Sequence, residues 1–162
     1  AGRLQDRVTR LSSGVAIIRV GASSEVEMIE KKHRIEDALE AVRSAQQEGI
    51  VPGGGMTLLR ASKSIAPNFA TEEQSAALSI FKKALESPFR TMASNAGLSP
   101  EVMMIQVQDA KDWEGINFST GAVENLKQKG VLDPAKVTRC ALKNAVSVAG
   151  TLLLTNHSIV HE

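Results

Sequence analysis

Residues 25–55 read EVEMIEKKHRIEDALEAVRSAQQEGIVPGGG, and this stretch decides the fold class as mostly α. Met28, Ile35, Leu39 and Val42 fall in a narrow stripe at the helical period, so the first two dozen residues form one long amphipathic helix. Glu27–Lys31 and Glu30–Arg34 add favourable i, i+4 pairs along it. Ser23 or Ser24 caps its start, with Glu25 and Glu27 at its positive end. The helix stops at Gly49. Pro52 and the run Gly53-Gly54-Gly55 then break the chain before helical spacing resumes at Met56.

Upstream, Leu4, Val8 and Leu11 recur at i, i+4, i+7 and predict an amphipathic helix ended by Gly14. Val15 to Val20 is β-branched and predicts a strand closed by Gly21. Downstream, Met56 to Ala66 is helical up to Pro67. Thr71 and Gln74 form a capping box for a helix with Leu78, Phe81 and Leu85 on its core face. Ser87-Pro88 predicts a new helix start, as does Ser99-Pro100. Residues 109–121 are polar and predict a loop or short strands. Val123 to Lys129 reads as a short helix, and Asp133-Pro134 as a third cap-then-proline start. Val137, Ala141, Ala145, Val148 and Leu152 form the apolar face of the last long helix. Residues 152–155 and 158–160 are candidate closing strands. Gly49 to Gly55 is the best hinge candidate.

The composition narrows the function classes. Hydrophobic residues make up 43% and charged residues 23% of 162 positions, enough for a core in an ordinary domain. The formal net charge of +1 lacks the basic excess of a nucleic-acid or membrane-surface binder. Aromatics at 3%, with no Tyr, argue against a base-stacking platform. The single cysteine, Cys140, reads as a buried small hydrophobe and suits a reducing compartment. No apolar run reaches the ~20 residues that span a bilayer. The absence of an initiator Met points to a chain that begins inside a longer protein or was processed.

Few residues suggest chemistry by spacing. Gly53-Gly54-Gly55 leads directly into a helix, where backbone can approach an anion and free N–H groups face it. No Lys-Ser/Thr follows, so it is no P-loop, and on spacing alone it reads better as a flexible turn. Asp133 reads first as an N-cap carboxylate and alternatively as an acceptor for a ribose hydroxyl. Asp37 lies roughly 200° around the wheel from Ile35, on the polar face, and nothing in the spacing separates it from Glu30, Glu36 or Glu40. His33, His157 and His161 have no metal-ligand spacing with Cys140 or one another. Trp113 reads as local packing.

Three ordered stretches carry a resemblance. Residues 25–39, the Ile50-Val51-Pro52-Gly53-Gly54-Gly55 element, and Gly130-Val131-Leu132-Asp133-Pro134-Ala135-Lys136-Val137-Thr138-Arg139 together resemble the group I (GroEL-type) chaperonins. Ser147-Val148-Ala149-Gly150 follows at the matching distance. The similarity covers essentially the whole chain. It implies that residues 1–15 end an apical domain, that 16–47 are the returning half of an intermediate domain, and that 48–162 are the carboxy-terminal half of a helical equatorial domain. By the same resemblance, Gly53, Gly54 and Gly55 approach a nucleotide, Asp133 contacts its ribose, and Val131 lines the base pocket. Asn117 and Phe118 stand where the family has an Asn-Ala pair beside adenine. Phe118 departs from the usual Ala, and Ile116 from a common Tyr. Asp37 matches the acid that swings onto the attacking water, a carboxylate that enters on closure and so couples hydrolysis to conformation.

The resemblance further implies ATP or ADP with Mg²⁺ and K⁺ as cofactors of the full-length parent, an ATPase. Its phosphate loop and metal ligands belong to an amino-terminal half whose motif is not in this sequence. Phosphoryl transfer depends on those groups, so this chain alone is expected to be catalytically silent. The implied partners are other subunits in heptameric, paired rings, with a co-chaperonin and unfolded polypeptides bound elsewhere in the parent. No nucleic acid or membrane partner is expected. The implied location is the bacterial cytoplasm, or alternatively a mitochondrial or plastid matrix. The competing reading is a non-enzymatic helical interaction module, because an apolar tail and an unpaired edge recruit partners.

Overall fold

The computed structural model describes residues 4, 7, 16–66, 71–157 and 159. Leu4 and Arg7 are helical; the rest of the helix expected at the start, including Val8 and Leu11, lies outside the described residues. The chain divides into two compact units, Ala1–Glu40 and Ala41–Glu162.

In the first unit, Ala16 to Val20 does not form a strand. The β-branched run has no partner among the described residues, and without a ladder an extended segment is not a strand. Helix α1, Glu25–Glu48, whose residues from Ala41 on belong to the second unit, begins as the sequence predicts. The Ser24 hydroxyl accepts from the Glu27 N–H at 3.3 Å, and the Glu27 carboxylate accepts from the Ser23 N–H at 3.2 Å. Ion pairs Glu27–Lys31 at 2.9 Å and Glu30–Arg34 at 3.7 Å run along its surface. The Met28–Leu39 stripe is there, but α1 buries no residue.

The second unit holds the core. After α1, Gly49 takes a left-handed φ of 83° and strand β1, Ile50–Pro52, follows. Helix α2 is Met56–Ser64, α3 is Glu72–Asn95 and α4 is Pro100–Gln106. A hairpin of β2, Glu114–Asn117, and β3, Ala122–Asn125, precedes strand β4, Leu132–Pro134, and helix α5, Ala135–Leu153. β1 pairs antiparallel with β4, bringing Val51 opposite Asp133, and β2 pairs antiparallel with β3. Met56 and Leu59 of α2, Phe89 and Ala93 of α3, Met103, Val107, Ile116 and Leu126 form one buried cluster.

Several expectations fail here. Ser87-Pro88 does not start a helix; α3 runs through Pro88. Leu85, Phe89 and Ala93 all face the core at i, i+4, i+8, and burying that stripe outweighs the proline's lost hydrogen bond. Residues 123–129 are not a helix: Ala122–Asn125 is a strand, because Val123 pairs with Ile116 across a tight turn. Asp133 is not a helix cap, since β4 includes Pro134 and Pro134 itself is the cap residue of α5. Residues 152–155 are the end of α5 and the turn after it, not a strand. Ile159 is not in a strand, and Ser158 and Val160 lie outside the described residues. Cys140 is only half-buried.

Other signals hold. Thr71 caps α3, its hydroxyl accepting from the Gln74 N–H at 3.4 Å. Gly97, at φ 73°, closes α3: Leu98 N–H donates to Ala93 C=O at 2.9 Å and Gly97 N–H to Ser94 C=O at 3.0 Å, the paired bonds of a Schellman motif.

Candidate functional site: the glycine elbow

β1 ends at Pro52 and α2 begins at Met56, so Gly53-Gly54-Gly55 makes the whole bend between them. Each glycine answers a different demand. Gly53 donates its N–H to Val131 C=O at 3.1 Å, and a Cβ there would lie 3.2 Å from the Val131 carbonyl. Gly54 and Gly55 have φ of 66° and 72°, a region that L-residues with side chains rarely enter. A Cβ on Gly55 would sit 2.9 Å from the Phe89 backbone nitrogen, so α3 passes against the bend with no room for a side chain. Among the described residues, neither the Gly54 nor the Gly55 N–H donates to a backbone carbonyl. The Thr57 hydroxyl donates back to Pro52 C=O at 2.8 Å and tightens the turn.

The hairpin comes up to this bend from the other side. A Cβ at Gly54 would lie 3.5 Å from Cε2 of Phe118 and 3.6 Å from Ile116 C=O. The Phe118 ring stacks tilted on Phe89, with centroids 5.4 Å apart and planes at 58°. Phe118 is therefore seated on the core as well as beside the glycines. Asn117 shapes the turn: its side-chain oxygen accepts from Ser119 N–H at 3.1 Å, and its amide donates to the Glu124 carboxylate at 2.8 Å. That bond, offset in part by burial, holds the Glu124 carboxyl below the usual range.

Asp133 enters through β4. It is half-buried, and its carboxylate has no hydrogen bond or ion pair among the described residues. Burial alone pushes its pKa up. Gly53, Gly54, Gly55, Phe118, Asn117, Val131 and Asp133 thus come together around one bend of the second unit, through contacts spanning about eighty positions. Asp37 belongs to the first unit, exposed on α1. No three His, Cys, Asp or Glu side chains among the described residues are placed to hold a metal ion, and no helix there is long and apolar enough to cross a membrane.

Two residues of this region escape sequence reading. Gly115 lies in β2, where a Cβ would come within 2.7 Å of both Leu126 and Met56 side chains. Only its place beside Ile116 in a polar stretch hints at such an approach. Arg60 sends its guanidinium to three carbonyls, Lys111 at 2.5 Å, Glu114 at 2.6 Å, and Asp112. The sequence offers one hint of it: α2, MTLLRASKS, contains no acid to pair with Arg60, but nothing in it points to the distant carbonyls.

The fold and the bend define a mostly helical protein organised around a glycine elbow joining a two-stranded sheet to a helix start. The TCP-1/cpn60 chaperonin family model matches residues 6–162, and the chain belongs to that family. A crystal structure of a group III chaperonin in the open state is similar, at 34% identity and a TM-score of 0.72. The match covers 86% of this chain and 30% of that one, so this chain spans under a third of that relative's length.

Proposed function

We propose that this chain is the part of an ATP-dependent chaperonin subunit that forms one side of the nucleotide site. The observation that carries the reading is the elbow: two unengaged backbone N–H groups at Gly54 and Gly55, at the start of a helix, with an unpartnered half-buried Asp133 nearby in the same fold unit. An N-terminal helix end with exposed N–H groups favours an anion such as a phosphate, and a carboxylate without a partner favours a hydroxyl donor such as a ribose. A nucleotide, when bound, supplies the phosphoanhydride whose hydrolysis drives conformational change. Gly54 and Gly55 would then hold phosphate, with Gly53 allowing the close approach and tying the bend to Val131, while Asp133 would orient the ribose and Val131, Asn117 and Phe118 would border the base. Phe118 in place of a small residue makes that border tighter, while Mg²⁺ and K⁺ are held by groups outside this chain.

Asp37 is the proposed general base toward the attacking water. The motif resemblance supports a group I assignment, with seven-membered paired rings, a co-chaperonin and unfolded polypeptides as partners. It also supports residence in a bacterial cytoplasm or an organelle matrix. The exposed apolar ends of α5, Leu152, Leu153 and Leu154, favour a second reading as an association module. In the full-length gene product, Asp37→Ala should lower ATP turnover at least roughly a hundredfold while nucleotide binding persists. Unchanged turnover, or turnover and binding lost together, contradicts the assignment of Asp37 as base.

A further inference from the structure

Arg60 is half-buried on α2, the helix that follows the elbow, four residues after Met56. Its guanidinium donates to the carbonyls of Lys111, Asp112 and Glu114. These acceptors are main-chain oxygens some fifty residues downstream, so the interaction reads backbone shape and not a neighbouring charge. A guanidinium suits such a triple contact, being planar, always charged, and equipped with several donors in a fixed fork. Each bond from a charged donor is worth more than a neutral one. The residues it grips lead directly into β2, and β2 ends at Asn117, beside Phe118 and Gly54. On its other flank the segment is tied down by Trp113, whose carbonyl accepts from Leu126 N–H at 2.8 Å and whose ring lies 5.1 Å from the Lys127 ammonium.

We propose that Arg60 is a positioning residue that fastens the 111–114 segment to α2 and so sets the height of the β2–β3 hairpin over the glycine elbow, tuning how tightly the elbow holds a nucleoside phosphate. The last clause rests on the nucleotide reading above; the positioning does not. Because the acceptors are carbonyls, the side chains of Lys111 and Asp112 are dispensable for it. Arg60 reaches no other described residue by hydrogen bond or ion pair.

Trp113 is the sole tryptophan, so its fluorescence reports the clamped segment directly. Acrylamide quenching of Trp113 and amide exchange across residues 111–117 are measured in the wild type, Arg60→Met, Arg60→Lys and Asp112→Ala, with circular dichroism as the folding control. Arg60→Met should raise quenching and speed hairpin exchange at least roughly tenfold, given the loss of charge-assisted bonds. Arg60→Lys should fall between, and Asp112→Ala should match the wild type. Unchanged quenching and exchange in a folded Arg60→Met overturns the proposal. If Arg60→Met does not fold, Arg60→Lys decides by the same readings, since a compact ammonium lacks the planar fork that spans the three carbonyls. In the full-length gene product, Arg60→Lys should raise the KM for Mg-ATP with little change in kcat. A freed hairpin with an unchanged KM overturns the tuning, whereas a wild type that binds no nucleotide overturns the nucleotide reading and leaves the positioning to the Trp113 result.

Discussion

Helices α3 and α5 invert what their sequences suggest. α5 has the cleaner apolar face and no internal proline, yet it buries no residue, and Val148 and Leu152 are 60% and 69% exposed. α3 carries Pro88 in its interior, yet Leu85, Phe89 and Ala93 are buried. The difference lies in what each helix has to pack against. α3 meets α2, α4 and the hairpin side chains in one cluster. α5 is held chiefly at its start, by β4, by the Arg139–Glu48 ion pair at 2.5 Å, and by a Lys136–Gln47 hydrogen bond. Amphipathicity states which face of a helix needs a partner; it does not state that the same chain supplies one. Burial of an apolar stripe, in contrast, holds a helix together through a residue that would break it in isolation.

Shortening one apolar-face residue in each helix puts this contrast at greatest risk. Phe89→Ala should cost about 3–5 kcal/mol in urea unfolding, because it empties a fully buried ring site against Phe118. Val148→Ser should stay within about 0.5 kcal/mol. Equal losses would show that α5 is packed in solution. A second pair separates backbone strain from packing. Gly55 and Gly97 share nearly the same φ, 72° and 73°, but a Cβ would meet the Phe89 backbone at 2.9 Å in the first and nothing within 4 Å in the second. Gly97→Ala should therefore cost about 1 kcal/mol, the backbone part alone. Gly55→Ala should cost about 2 kcal/mol more in thermal unfolding, for the displacement of α3.

The smallest effect concerns Asp133. Below the ordinary aspartate range both folded and unfolded chains carry the neutral acid, and its burial penalises nothing. As pH rises past the ordinary value the unfolded chain ionises first and stability falls, and the full penalty is in place once pH exceeds the elevated folded value. Asp133→Asn should thus raise the melting temperature modestly at neutral pH, and the gain should vanish as pH falls below the ordinary aspartate value of about 4. A gain that persists in acid would assign the effect to something other than charge.

Much of the architecture was readable from punctuation. The Ser24 cap, Gly49, the Thr71 cap and the Gly97 stop all act locally, through bonds within a few residues. What failed depended on distant partners. Val15 to Val20 reads as strand by composition, but Ala16 to Val20 has no ladder among the described residues, while Val123 reads as helix until Ile116 lies opposite it. Pro88 reads as a start until the core claims both sides of it. The residues of the elbow were singled out by resemblance, since on spacing alone Gly53 to Gly55 reads as a flexible turn. The assembly of the site was not legible, because the approach of Phe118 to Gly54 and the bond from Gly53 to Val131 follow from folding across the whole second unit. Arg60 and Gly115 went unread because their contacts are with backbone and core atoms far along the chain.

On the proposed function, this chain carries one side of a nucleotide site and needs the rest of a subunit to close it. Calorimetric titration of Mg-ATP and Mg-ADP into the 162-residue chain is the decisive experiment. No saturable heat should appear up to millimolar nucleotide, with binding emerging in the full-length gene product and weakened there by Asp133→Ala. Saturable binding to the chain alone, lost in Asp133→Ala, would contradict the half-site and make the glycine elbow a complete one.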